Sequence, residues 1–356
     1  MEAVPAPRRR HGVDDHRPGP AAERCSRAER GPAAVAGIPP GHGVGVTIRQ
    51  LFFVPPVPLL VAEELGLLAA AGLDIESRPT RSSAEQLAGL RSDTVDVAVT
   101  AMDNVFVWNH LGADLRIVAQ VEQTTVLSVY ASPDHRTLAD LDGATFAVDA
   151  LTNGFAIVAR TLLARAGVSA RYVETGGVKE RFDALLGGRA DATLLGPPLD
   201  ALADQAGMVR LASANEAFPA LPGQGVVVRA RRSPHETAEL RAYLEVLRAA
   251  VMATESMTVA DGIALLERHG FPGRSAADAW RTRPRSIAVD AAGLSLVEAL
   301  RAQLDLLPLG YAGLDGILDA SLAPARAPQI RSVPYRISCL NARHPRATLN
   351  EEKEWM

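Results

Sequence analysis

The residues best suited to chemistry stand at five joints where an apolar, strand-like run gives way to a helix-like one. In "VAVTAMDNVFVW" the run stops at Asp103 and Asn104, an acid that can face a cation beside an amide that both donates and accepts. Helix capping explains the same pair, because a cap uses only one carboxylate oxygen. Ser82 and Ser83 are natural caps too, and Arg81 before them is either a solvated charge or a planar fork of donors for a carboxylate, sulfonate or phosphate. Asn153 and Gly154 open another helix; glycine lets a ligand oxygen approach the backbone and asparagine caps or donates, while turn chemistry accounts for the same two residues. Phe52, Phe53, Phe155 and the Pro55-Pro56 pair offer the apolar wall that small-molecule sites use. Neighbours on a strand face opposite sides, so one of Phe52 and Phe53 belongs to the core. Gly196, Pro197 and Pro198 close the last of the five runs.

These joints need a scaffold, and the hydrophobic periodicity supplies one. Strands are expected at residues 46–53, 73–80 and 95–101, with helices at 58–72, 82–93 and 103–112 between and after them, and strands again at 114–122 and 125–132. Gly72 and Gly112 stand where left-handed caps would end two of those helices. A second alternating unit follows: strands at 141–150, 170–176 and 191–198, helices at 153–167 and 178–190. A strand at 223–230 then leads into mainly helical sequence over 233–256, 258–270 and 289–307. The β-α-β order calls for mostly parallel sheets flanked by helices, in two lobes, each an α/β unit. The expected division puts residues 45–130 and 224–322 in lobe 1 and 131–223 in lobe 2, with the chain crossing over near residues 130–140 and returning near 223–229.

At 356 residues and 47% hydrophobic content the chain can fill two cores. Basic residues number 37 and acidic ones 41, a formal charge of -4 with no basic stripe, which argues against nucleic acid as a partner. Nearly all the basic residues are arginine, and with abundant Ala, Gly and Pro this reads as compositional bias. The two cysteines, Cys25 and Cys339, sit near opposite ends and suggest neither a disulfide framework nor a thiolate metal site. No segment approaches the roughly 18 consecutive apolar residues of a membrane-spanning helix. Residues 1–44, rich in Arg, Pro, Gly and Ala, are expected to be a disordered extension, and residues 323–356 an irregular tail. The N-terminal segment shows an arginine cluster without the apolar stretch of a secretory signal.

Three passages carry a family resemblance: "PLLVAEELGLLAAAGLDIE" with "SSAEQLAGLRSDTVDVAVTAMDN", then "LADLDGATFAVDALTNGFAIVARTLLARAGV", then "RFDALLGGRADATLLGPPLDALA". They resemble the substrate-binding proteins of ABC importers, in the NMT1/THI5-like branch with nitrate, sulfonate, taurine and thiamine-pyrimidine binding proteins. The likeness covers roughly residues 46–320. Ser92-Asp93-Thr94 departs from it by filling a turn that usually has glycine before the acid. The resemblance implies the type 2 periplasmic-binding-protein fold, with a ligand cleft between the lobes. It also implies a small-molecule ligand, an ABC permease as partner, a monomer, and a periplasmic or cell-surface location; the missing signal pattern points instead to the cytoplasm. Ligands in such open sheets lie outside the carboxyl ends of the strands, which makes Phe52, Pro55, Ser82, Ser83, Asp103, Asn104, Asn153, Gly154, Phe155 and Pro197 the expected ligand-binding residues.

Enzymes on the same fold set a direct test. The nucleophilic cysteine of the resembling desulfinase would fall near Val54, and the Cys-rich motif of the pyrimidine-phosphate synthases has no counterpart. His110, His135, His235 and His269 stand away from the joints, and the sequence offers no nucleophile-base pair, metal spacing or P-loop, so neither cofactor nor metal is expected. The leading expectation is a solute-binding protein that closes on a small polar or anionic organic molecule: a sulfonate, carboxylate, amine or pyrimidine. A cytoplasmic decarboxylase or lyase on the same scaffold is the rival, and a ligand-sensing module the third reading.

Overall fold

A computed structural model describes residues 46–322, residue 81 excepted. The expected N-terminal extension and C-terminal tail, both cysteines and Arg81 lie outside the described residues.

Lobe 1 begins with β1 (Val46–Phe52), α1 (Val57–Glu64), the short α2 (Leu67–Ala70), β2 (Leu73–Pro79), α3 (Ser83–Arg91), β3 (Val97–Ala101), α4 (Asn104–His110) and β4 (Leu115–Gln120). The chain then crosses to a second sheet through β5 (Ser128–Ala131), β6 (Thr145–Val148), α5 (Gly154–Arg165), β7 (Arg171–Glu174), α6 (Val178–Leu186), β8 (Ala192–Leu195), α7 (Leu199–Gln205), β9 (Val209–Ser213) and the short α8 (Ala214–Ala217). It returns as β10 (Gln224–Arg229) and finishes with α9 (Pro234–Thr254), α10 (Val259–Arg268), α11 (Gly273–Arg281) and α12 (Ala291–Gln303). The fold is α/β: two mixed sheets flanked by helices, ordered β2-β1-β3-β10-β4 and β7-β6-β8-β5-β9. In each sheet four strands run one way and one runs against them, β10 in the first and β5 in the second. The reversed strand is in each case the one that follows a crossing.

The outward crossing lies between β4 and β5, at residues 121–127, ahead of the 130–140 region expected from sequence. Residues 128–130, assigned by pattern to lobe 1, therefore belong to the second sheet, where Tyr130 pairs with Thr193 and Arg210. The apolar run around β5 resembles a continuation of β4, and the polar break at Gln123, Thr124 and Thr125 is where the chain leaves.

Strands β5, β6 and β8 are buried along their whole length, as sheets covered by helices on both faces require. Leu51, Leu90, Met102, Phe106, Ile117 and Val227 form the core of lobe 1; Val129, Phe146, Ile157, Leu162, Leu194 and Phe218 form that of lobe 2. Helix α12 serves both, with Leu294 and Val297 in the first core and Leu300 in the second.

Candidate functional site

The parallel strands of the two sheets end at facing joints, and the side chains placed there define the site. Asn153 caps α5 by accepting from the Phe155 N–H at 3.1 Å, which leaves Gly154 as the first helical residue. The Asp103 carboxyl group, from the β3–α4 joint of lobe 1, lies directly over Gly154 of lobe 2, so closely that a Cβ at Gly154 would overlap it. Glycine is thus required here for close approach.

Helix α12 delivers a third partner. The Arg301 Nη2 donates to Asp103 Oδ2 at 3.3 Å and to the Asp103 carbonyl at 3.4 Å in lobe 1, and to the Thr152 carbonyl at 3.2 Å in lobe 2. Arg301 is only 1% exposed, sits 5.3 Å from the centre of the Phe106 ring, and its Nε has no hydrogen-bond partner among the described residues. Burial pushes the Asp103 carboxyl above its ordinary pKa; Arg301 and the Gly154 amide oppose the shift and the Asp149 carboxylate adds to it.

Asp149 follows β6, and its Oδ1 is buried without a hydrogen-bond partner among the described residues. Its carboxyl is likewise raised, by burial first, with Arg181 opposing. Arg181, 2% exposed on α6, donates to the Leu194 carbonyl at 2.6 Å and to Thr193 Oγ1 at 3.3 Å; burial lowers its pKa. Asp103 and Arg301 thus pair between the lobes away from water, while Asp149 and Arg181 are buried within the second lobe.

Between the lobes lies a cavity of about 20 Å³, lined by Met102, Asp103, Thr125, Gly154, Phe155 and Val297 among others. That is room for about one water molecule. An organic ligand of even a few heavy atoms enters only when the lobes part.

Of the residues expected from sequence, Asp103, Gly154 and Phe155 line this cavity. Asp103 stands at the cap position of α4 but makes no capping bond; its carboxyl turns to Arg301 and lobe 2 instead. Asn104, buried behind it, donates to Thr100 Oγ1 at 2.7 Å. Ser82 caps α3 by accepting from the Glu85 N–H, with Ser83 as the first residue of that helix, and among the described residues no hydrogen bond links Ser82 to Asp103 or Asn153. Phe52 is buried at the end of β1, Pro55 lies in the turn before α1, and Pro197 joins β8 to α7 through a cis bond to Pro198. Arg301, Asp149 and Arg181 were missed. An arginine set among Leu294, Val297, Leu300 and Leu304 at helical spacing was the readable signal for Arg301.

A family model described as NMT1/THI5 like matches residues 56–254, more than half of the chain. The chain belongs to the NMT1/THI5-like family. No curated protein sequence matches it. Among solved structures it is similar to the ligand-binding component of an ABC-type import system from Staphylococcus aureus with zinc bound (TM-score 0.66, 14% identity, covering 78% of this chain and 97% of that one). It is similar also to the alkanesulfonate-binding protein from Xanthomonas axonopodis pv. citri bound to MOPS (0.62, 19%, 77% and 99%). A third is the periplasmic nitrate-binding protein from Synechocystis (0.63, 13%, 78% and 87%). These likenesses establish the periplasmic-binding-protein fold for this NMT1/THI5-like chain. Among the described residues no helix is long and apolar enough to cross a membrane, and no cluster of three His, Cys, Asp or Glu side chains could hold a metal ion.

Proposed function

We propose that the chain is the solute-binding component of an ABC-type importer, capturing a small polar or anionic organic molecule by hinge closure of its two lobes. The observation that carries this reading is the meeting of Asp103 from lobe 1, Gly154 from lobe 2 and Arg301 from α12 at one buried point beside the inter-lobe cavity. A site whose walls come from two lobes is completed by closure and taken apart by opening, the cycle of capture and release that a delivery protein needs. The two crossings, at residues 121–127 and 218–223, supply the hinge. The family and the structural neighbours, which include alkanesulfonate- and nitrate-binding proteins, support the same reading. In this role the protein works as a monomer and hands its ligand to an ABC permease. Phe52, Pro55, Ser82, Ser83, Asn104, Asn153 and Pro197, at the strand ends, are the proposed walls of the opened cleft.

The test is a thermal-shift panel of sulfonates, carboxylates, amines and pyrimidines, followed by small-angle scattering with each hit. A ligand at 100 times its Kd stabilises by about 2.7 kcal/mol, a shift easily read. Stabilisation with no turnover is the expected result; consumption of a hit would place the chain among the enzymes on this fold.

A further inference from the structure

The Asp103 carboxylate occupies a place built for an anion that is not covalently part of lobe 2. Its surroundings are the N-terminus of α5, a helix of 12 residues whose first amide is that of Gly154, and the Arg301 guanidinium. A helix N-terminus presents unpaired N–H groups and the positive end of a dipole. Gly154 has no Cβ to keep an oxyanion away. Arg301, almost wholly buried, keeps an Nε without a hydrogen-bond partner among the described residues, so the carboxylate does not exhaust its donors. Thr152, one residue before the cap, holds the guanidinium in place from lobe 2 through its carbonyl. The cradle is thus assembled by lobe 2 and α12, while its occupant comes from lobe 1.

We infer that Gly154 and Arg301 form the subsite for a carboxylate or sulfonate group of the ligand, and that Asp103 is a tethered internal competitor that fills it and holds the lobes together until the ligand takes its place. The inference rests on the binding-protein reading and adds the ligand's charge and the residue it displaces. Entry of the ligand breaks the Arg301–Asp103 pair and frees Asp103 to turn back toward α4. A subsite that is self-occupied about nine-tenths of the time lowers apparent affinity about tenfold. Removing the competitor therefore tightens binding, the opposite of what removing an ordinary ligand contact does.

The experiment compares wild type, Asp103→Asn and Arg301→Gln, each checked for folding by circular dichroism. Isothermal titration calorimetry is run with acetate and methanesulfonate as probes and ethylammonium as control. Asp103→Asn should bind the two anions about tenfold more tightly than wild type, and Arg301→Gln should lose them. Ligand-free Asp103→Asn should also show a larger radius of gyration by small-angle scattering, since the ionic part of the cross-lobe tie is gone and only the Arg301 bonds to the Asp103 and Thr152 carbonyls and to a neutral amide oxygen remain. Weaker or unchanged anion binding by Asp103→Asn, tighter binding of ethylammonium than of the anions, or an unchanged radius of gyration would each overturn the inference. If wild type responds to panel ligands but Asp103→Asn does not gain affinity, only this inference fails; if wild type responds to nothing in the panel, the binding-protein reading fails, and the variant titrations still decide whether the cradle takes an anion.

Discussion

Glu122 stands in the outward crossing, and its titration should be visible in the stability of the whole protein. Its Oε2 accepts from Thr125 Oγ1 at 2.8 Å and from the Gln224 N–H at 3.1 Å, so one carboxyl ties the outward crossing to the start of the returning strand. Gly223 packs against it so tightly that a Cβ there would stand 2.7 Å from Glu122 Cγ. Burial raises the Glu122 carboxyl to about 7, partly opposed by its hydrogen bonds to Thr125 and Gln224, and no ionised partner enters among the causes. The folded state therefore binds this proton more tightly than the unfolded chain, whose carboxyl titrates near 4.5. The contribution to stability is full below pH ~4.5, falls as pH rises toward 7, and is flat above, the reverse of an ion-paired carboxylate. At ~1.4 kcal/mol per pH unit the full loss is at most about 3.5 kcal/mol, reduced by the residual exposure of Glu122, and about 1.5 kcal/mol of it falls between pH 5.5 and 7. Glu122→Gln keeps an acceptor oxygen and removes the proton. Urea denaturation of both proteins from pH 5.5 to 8.5 isolates the effect, because Asp103, Asp149, Asp200 and Glu63, also raised by burial, titrate in both. Wild type should lose up to about 2 kcal/mol relative to the variant across that range. Parallel pH profiles would refute the argument.

Three further outcomes are expected. Arg274 on α11 reaches Asp204 of α7 across the lobes at 2.7 Å, with both side chains about half exposed, so Arg274→Ala should cost no more than about 1 kcal/mol, and its effect on ligand release measured by stopped flow should vanish at high salt. A Cβ at Gly262 would overlap the Trp280 ring, so Gly262→Ala should destabilise by about 1–3 kcal/mol, read as a drop of several degrees in Tm. The buried Tyr243 hydroxyl donates to Gln50 Oε1 at 2.5 Å; Tyr243→Phe strands that oxygen and should cost about 1–3 kcal/mol in chemical denaturation.

The order of strands and helices was readable because the apolar periodicity of each segment survives in its packing, as the fully buried runs of β5, β6 and β8 illustrate. Pairing Asp103 with Gly154 was readable in part, since both occupy strand-to-helix joints and such joints face one crevice. Arg301 was not, because it comes to the same point from α12, nearly 200 positions further along the chain, and position in the fold rather than spacing brings it there. The crossing was misplaced because the run into β5 matches that of β4 in period, and only the hydrogen-bond ladder tells which sheet receives it. Helix α11 went unread: Pro272 precedes it and its buried face is narrow, with Ser275, Ala276 and Trp280 as its buried residues.

The placement of β10 between β3 and β4 bears on the order in which the protein can be built. All five strands of lobe 2 are consecutive, so that sheet can close as soon as residue 213 has been made. Lobe 1 starts first and finishes later. Until residues 224–229 arrive, β3 has an open edge and β4 has no neighbour in its own sheet, since β10 is the strand that pairs with both. The lobe that leaves the ribosome first must therefore wait with open strand edges while nearly a hundred residues of the other are added, and it is this half of the molecule that is exposed to wrong pairing during synthesis.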